Sequence, residues 1–305
     1  IDVAKEVIKD ERRKRHGRIV CELTDILDKC IYKDWQDAET LGAVPLDSPL
    51  YEVIHPDNRL SDVVLSPANT VAVEKVIQEF NNRRALEKGG RFPKKRLLFY
   101  GPPGCGKTLT AKALASELEL PLIYLRFDAF VSYCLGKTSS EIWEILDDTR
   151  YGKYVILLDE FDDFATCRSN LNERMGIKRV VNALLQRIDR YLGHSLIIAV
   201  TNYDQCLDYG VWNRFDCMMR FDMPSDNERK QLFQMRMMRL SGESDWLDEF
   251  LPQLKEFSHS DVEKVALWII KKCVAESRSE YVKEDVEAAV LRQREQVSLR
   301  KTHYC

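Results

Sequence analysis

Residues 96–108 read RLLFYGPPGCGKT, an apolar run that breaks into a glycine-rich loop and ends on Lys107 and Thr108. The loop fits the phosphate-binding pattern G-x-x-x-x-G-K-[ST], with Gly101, Gly106, Lys107 and Thr108 in the required places. Phosphate binding depends on that spacing. Gly101, Gly104 and Gly106 let the backbone curl until its N–H groups converge on one anion, and a helix beginning near Lys107 adds the positive end of its dipole. In this reading Lys107 reaches the β- and γ-phosphates and the Thr108 hydroxyl holds Mg2+, while Pro102, Pro103, Cys105 and Leu109 complete the cradle. The flanks agree with the motif: Leu97 to Tyr100 reads as a buried strand before the loop, and Thr108 to Leu118 (TLTAKALASEL) as a helix after it.

Working outward, the same strand-then-helix rhythm continues. Residues 69–85 predict a helix before the loop; Leu122 to Phe127 (LIYLRF), Tyr154 to Leu158, Leu196 to Val200 and Met218 to Phe221 predict further strands. Helices are expected over 141–149, opened by a capping box at Thr138 and Glu141, and over 177–191. Short apolar strands alternating with helices imply a parallel sheet covered on both faces, with its ligand beyond the carboxyl ends of the strands. After Pro224 the strand pattern stops. Residues 228–240, 246–254, 261–276 and 283–293 all read as helices, the third opened by Ser260 and Glu263 as a capping box. The expected organisation is an N-terminal helical pair over 1–35, a proline-bearing linker over 36–59, an α/β core over 60–224, and a helical lid with its tail over 225–305.

Composition bounds the rest. The chain has 305 residues, 45% hydrophobic and 31% charged, which is ordinary for a soluble globular protein of more than one domain. A net charge of −3 argues against a generally nucleic-acid-binding surface, although the run Lys9 to Arg15 (KDERRKR) is a local basic patch as well as a solvated helix face. No stretch approaches the length of a membrane span, and the opening residues carry no signal-peptide core, so a cytoplasmic protein is expected. Nine cysteines lie scattered without C-x-x-C spacing, which fits reduced thiols; Cys105 in the loop is expected to meet a thiol reagent first.

The strand at 154–158 ends in Asp159-Glu160. An acidic residue at the end of a buried strand beside a phosphate loop can hold Mg2+, the role assigned to Asp159. Its neighbour Glu160 can orient, or take a proton from, the water that attacks the γ-phosphate. Asn202, ending the strand at 196–200, is the candidate γ-phosphate sensor, and Arg214 in WNRFD is the candidate arginine finger for a neighbouring subunit.

GPPGCGKT, ILLDEFD, AVTNYDQCLD and NRFD, in this order and at these separations, resemble the AAA ATPases, and the resemblance runs from about Leu60 to Gln293. It is strongest to bacterial single-module members. The resemblance implies a P-loop NTPase sheet of strand order 5-1-4-3-2 followed by a small all-helical lid, ATP and Mg2+ as ligands, and a homo-oligomeric ring, commonly a hexamer. It also implies that Ser258, His259 and Ser260 lie near adenine and ribose, where the family carries F-S-G-A-D and this chain has FSHSD. The central-pore positions fall on Tyr133 and Leu135, with the aromatic one place early; where the family often has a second arginine this chain has Asn213, so Arg179 or Arg187 is a candidate helper. The function so implied is remodelling or unfolding of a protein substrate, with delivery to a subtilisin-like serine protease partner as one form of it. Two alternatives stay open: a nucleic-acid-directed ATPase of clamp-loader or defence type, and an ATP-gated scaffold with little turnover.

Overall fold

The computed structural model describes residues 47–48, 51–125, 149, 152–161, 184–191, 193–203, 207, 209–238, 240–242 and 246–303. The N-terminal helical pair and its basic run, Tyr133, Leu135, the capping box at Thr138 and Arg179 lie outside the described residues.

One seven-stranded sheet, in the order β1-β2-β4-β5-β6-β3-β7, organises the core. Its strands are β1 (Asp47–Ser48), β2 (Tyr51–Ile54), β3 (Arg96–Tyr100), β4 (Leu122–Leu125), β5 (Val155–Leu158), β6 (Leu196–Thr201) and β7 (Cys217–Arg220). From β7 to β4 every pairing is parallel, and read from that edge the order is the expected 5-1-4-3-2. The difference lies at the other edge. There β2 pairs antiparallel with β4 and β1 with β2, so residues 47–54, read from sequence as linker, are strands of the sheet. Pro49 and Pro56 bracket β2, and proline is tolerated at a sheet edge because no ladder donor is needed there.

Alternate residues of each central strand enter opposite cores, as the two-residue period requires. Leu97, Phe99, Val155, Leu157, Ile198 and Val200 pack with helices α1 (Pro67–Asn81) and α3 (Lys107–Glu117). Leu98, Ile156, Leu158, Ile197 and Ala199 pack on the other face with Leu184, Leu185 and Ile188 of helical residues 184–189. Burial on both faces makes these strands apolar throughout, which is why they were legible. The expected helix over 69–85 is broken at Asn82 into α1 and α2 (Arg83–Lys88).

After the short α4 (Tyr209–Trp212) and β7, four helices make the lid: α5 (Asp226–Met237), α6 (Trp246–Phe250), α7 (His259–Ala275) and α8 (Lys283–His303). They enclose a separate core around Phe233, Phe257, Ile269, Tyr281 and Val286, to which Val64 of the α/β part also belongs. The cap of α7 is a correction. Ser258, not Ser260, is the N-cap: its hydroxyl accepts from Asp261 N while its own N–H donates to Asp261 Oδ2.

Candidate functional site

The glycine-rich loop leaves the carboxyl end of β3 and enters α3 through Gly106, so the first-turn N–H groups of α3 open onto the loop. Two glycines here answer to packing. A Cβ on Gly101 would lie 2.1 Å from the carbonyl oxygen of Phe221, just past β7. One on Gly104 would lie 2.7 Å from Ser258 Oγ in the lid. The buried Lys107 is held over the loop by its ammonium, which donates to the carbonyls of Gly101 at 2.7 Å and Pro102 at 2.8 Å. A buried ammonium needs such acceptors, and they aim it along the cradle.

At the end of β5 the Thr108 hydroxyl donates to Asp159 Oδ2 at 2.9 Å, and Glu160 N donates to Asp159 Oδ1 at 3.0 Å. The backbone of Glu160 has φ +54°, a left-handed conformation unusual for a residue with a side chain. The next residue closes the turn: Phe161 N donates to Val200 O at 2.8 Å, tying the end of β5 to the end of β6. Asn202 follows β6, and Asp159, Glu160 and Asn202 therefore line one wall of the same cleft.

That cleft has a volume of about 360 Å³. Its phosphate-loop wall is Pro103 to Leu109, and its far end is formed by Asp62, Val63, Val64, Leu232, Arg236, His259, Ser260 and Glu263. His259 and Ser260 thus join the phosphate loop as expected, and Ser260 N donates to Gly104 O at 3.0 Å. Ser258 is buried as the helix cap and abuts Gly104. Asp62 to Val64, Leu232, Arg236 and Glu263 were missed by the sequence reading. The one signal for them was positional: Leu232 and Arg236 on α5, and His259 and Glu263 on α7, are spaced four apart and share a helix face. Donors in the cleft suit the expected ligands, since a hydroxyl beside a carboxylate is the hard oxygen pair that Mg2+ takes, and a loop of amides with a lysine suits phosphates.

Three expectations change. Cys105 is only 2% exposed, and burial, against the pull of Lys107, pushes its thiol up to about 11, so it is a poor nucleophile. Arg214 does not line the cleft; its Nε lies 3.5 Å from Asp189 Oδ2. Arg96, at the opposite end of β3 from the loop, pairs with the same Asp189 at 3.6 Å and with Asp216 at 2.5 Å. Arg214 therefore sits toward the amino edge of the sheet, about 13 Å of strand away from its own phosphate loop. Arg187 is also absent from the lining residues.

A family model described as "ATPase family associated with various cellular activities (AAA)" matches residues 97–223. An uncharacterised AAA family ATPase of Sinorhizobium fredii is 30% identical over 292 residues, 94% of this chain and 88% of that protein. A protein of Methanocaldococcus jannaschii named as a 26S proteasome regulatory subunit homolog is 32% identical over 66% of this chain and 56% of its own length. The ATP-dependent zinc metalloprotease FtsH of Parabacteroides distasonis is 31% identical over 63% of this chain, which spans 30% of that protein. Among solved structures, the FIGL-1 AAA domain superposes with a TM-score of 0.63 at 19% identity, covering 84% of this chain and 93% of that one.

Proposed function

This chain belongs to the AAA family of ATPases, and on that premise we propose that it hydrolyses ATP with Mg2+ in a ring of like subunits, most simply a hexamer, to remodel a protein substrate. The observation that carries the reading is the cleft wall itself: Thr108 and Asp159 joined at 2.9 Å beside the phosphate loop, with Glu160 next in the chain and Asn202 on the neighbouring strand. Thr108 and Asp159 are the residues that hold Mg2+, which supplies charge neutralisation on the phosphates when bound. Loop amides and Lys107 bind and orient the phosphate chain. Glu160 positions the attacking water and takes its proton, and Asn202 fixes the γ-phosphate end by hydrogen bonding.

A protein substrate is favoured over nucleic acid by the relatives, one named for the proteasome regulatory subunit and one for an ATP-dependent protease. Delivery to a partner protease, of the subtilisin-like serine class suggested by the sequence resemblance, is the finer form of this proposal. Among the described residues no helix is long and apolar enough to cross a membrane, which accords with the cytoplasmic setting we propose.

The test is Glu160→Gln, assayed for phosphate release and for ATP binding. We expect turnover to fall by about 100-fold or more while ATP remains bound, since a positioned general base contributes on that scale. Unchanged turnover would remove Glu160 from the mechanism.

A further inference from the structure

The far end of the cleft holds polar atoms that the protein itself does not satisfy. Both ring nitrogens of His259 and the Nε of Arg236 are shut off from solvent with no hydrogen-bond partner among the described residues. Both side chains line the cleft, with Glu263 between them in function: Glu263 Oε1 accepts from Arg236 Nη2 at 2.9 Å and stands one turn after His259 on α7. Buried polar groups left without partners are rare in folded proteins, and several at one end of one cleft are accounted for by a ligand that supplies the missing bonds.

The donor set narrows the ligand. Arg236 offers only donors and so requires an acceptor. His259 is held neutral, because burial, outweighing the pull of Glu228, lowers its pKa, and a neutral imidazole offers one donor and one acceptor. Val64 and Leu232 add apolar surface beside them. A ring with both acceptor nitrogens and an amine, carried on a sugar with hydroxyls, matches this combination; inorganic phosphate does not.

We propose that Arg236 and His259 hydrogen-bond the nucleoside half of the nucleotide, with Glu263 locking the Arg236 guanidinium between lid helices α5 and α7, so that the lid reads the nucleoside while the loop reads the phosphates. The inference rests on the nucleotide-site reading above. It also explains why Glu263 does not cap α7: its carboxylate is committed to Arg236. Arg236 and His259 are specificity residues in this account, and they touch no reacting atom.

The experiment measures the affinity of ADP and of inorganic tripolyphosphate, each with Mg2+, for the full chain and its Arg236→Ala, His259→Ala and Lys107→Ala variants, together with melting temperatures without ligand. Each lid variant is expected to bind ADP about ten-fold more weakly, the equivalent of one good hydrogen bond, and to bind tripolyphosphate as the parent does. The ligand-free melting temperature of His259→Ala should hold or rise, because an unpartnered buried imidazole is removed. ADP affinity unchanged in both lid variants overturns the inference. So does a parallel loss of both ligands with a lowered ligand-free melting temperature, since the residues would then only hold the lid together. Lys107→Ala separates the two readings: if it leaves both affinities intact, the phosphate-loop site is wrong, whatever the lid variants do.

Discussion

At the scale of single residues, the phosphate loop shows how a correct identity can be read for an incomplete reason. Gly101 looks in the sequence like a residue kept small for the phosphate. In the fold it is tied to the end of β7, by its φ of +133° and by the Phe221 carbonyl oxygen, which an added Cβ would meet at 2.1 Å. Gly101→Ala should therefore lower stability by about 2 kcal/mol, from backbone displacement in a packed region, even in the absence of nucleotide. Denaturant unfolding of ligand-free protein checks this; a change seen only as lost nucleotide affinity would restore the simpler reading. Cys105 makes the converse point. Its position in a functional loop suggested reactivity, but exposure cannot be read from a motif, and burial against Met223 makes the thiol inert. The φ of +54° at Glu160 was equally invisible in sequence, since glutamate gives no local signal for a left-handed turn.

At the scale of elements, the lid is joined to the loop through one buried carboxylate. Asp261, 3% exposed, accepts from Ser258 N and Oγ at the start of α7, and from Gln293 at 2.7 Å and Arg300 at 2.5 Å on α8. Ser260, in the same turn, donates to Gly104 of the loop, so α8 is connected to the nucleotide cradle through three side chains and one turn of helix. Sequence could not select this arrangement. Ser258-x-x-Asp261 and Ser260-x-x-Glu263 both satisfy the capping pattern, and only the tertiary contacts with Gly104, Arg236 and Arg300 choose between them. The central strands were legible because they are apolar on both faces; β2, four residues between prolines, was not, because an edge strand can be short and mixed. Burial opposes ionisation of Asp261, and the bonds from Arg300 and Ser258 outweigh it, so its carboxyl lies below the ordinary aspartate value. A depressed carboxyl stabilises the fold above its unfolded pKa of about 3.9 and loses that contribution as pH falls through the folded value. Melting at pH 7 and pH 3 should show a smaller acid loss in Asp261→Asn than in the parent. At pH 7, Asp261→Ala should cost about 3 kcal/mol, the range for breaking a buried pair, whereas Arg300→Ala should cost about 1 kcal/mol or less because Arg300 is half exposed. Equal acid sensitivity in parent and Asp261→Asn would show that the network does not set lid stability.

At the scale of the whole molecule, the cleft has every group proposed for hydrolysis except a cation beyond Lys107 to meet charge developing on the γ-phosphate. The candidate, Arg214, is tethered through Asp189 at the amino edge of the sheet, while the phosphates belong at the carboxyl edge, as for ligands of parallel sheets generally. Its Nη1 is buried without a partner among the described residues. A guanidinium so placed can serve the site only of another copy, by a head-to-tail contact that repeats until a ring closes. This reasoning predicts complementation. Arg214→Ala retains Glu160, and Glu160→Gln retains Arg214, so each variant alone should bind ATP and hydrolyse it poorly. In an equal mixture, sites with an intact Glu160 facing an intact Arg214 form at random at about one interface in four, and up to about one quarter of the parent rate should return. A finger acting within its own subunit would give no recovery at any ratio. Phosphate release across a titration of the two variants, with native mass measurement to confirm that mixed assemblies form, decides between them.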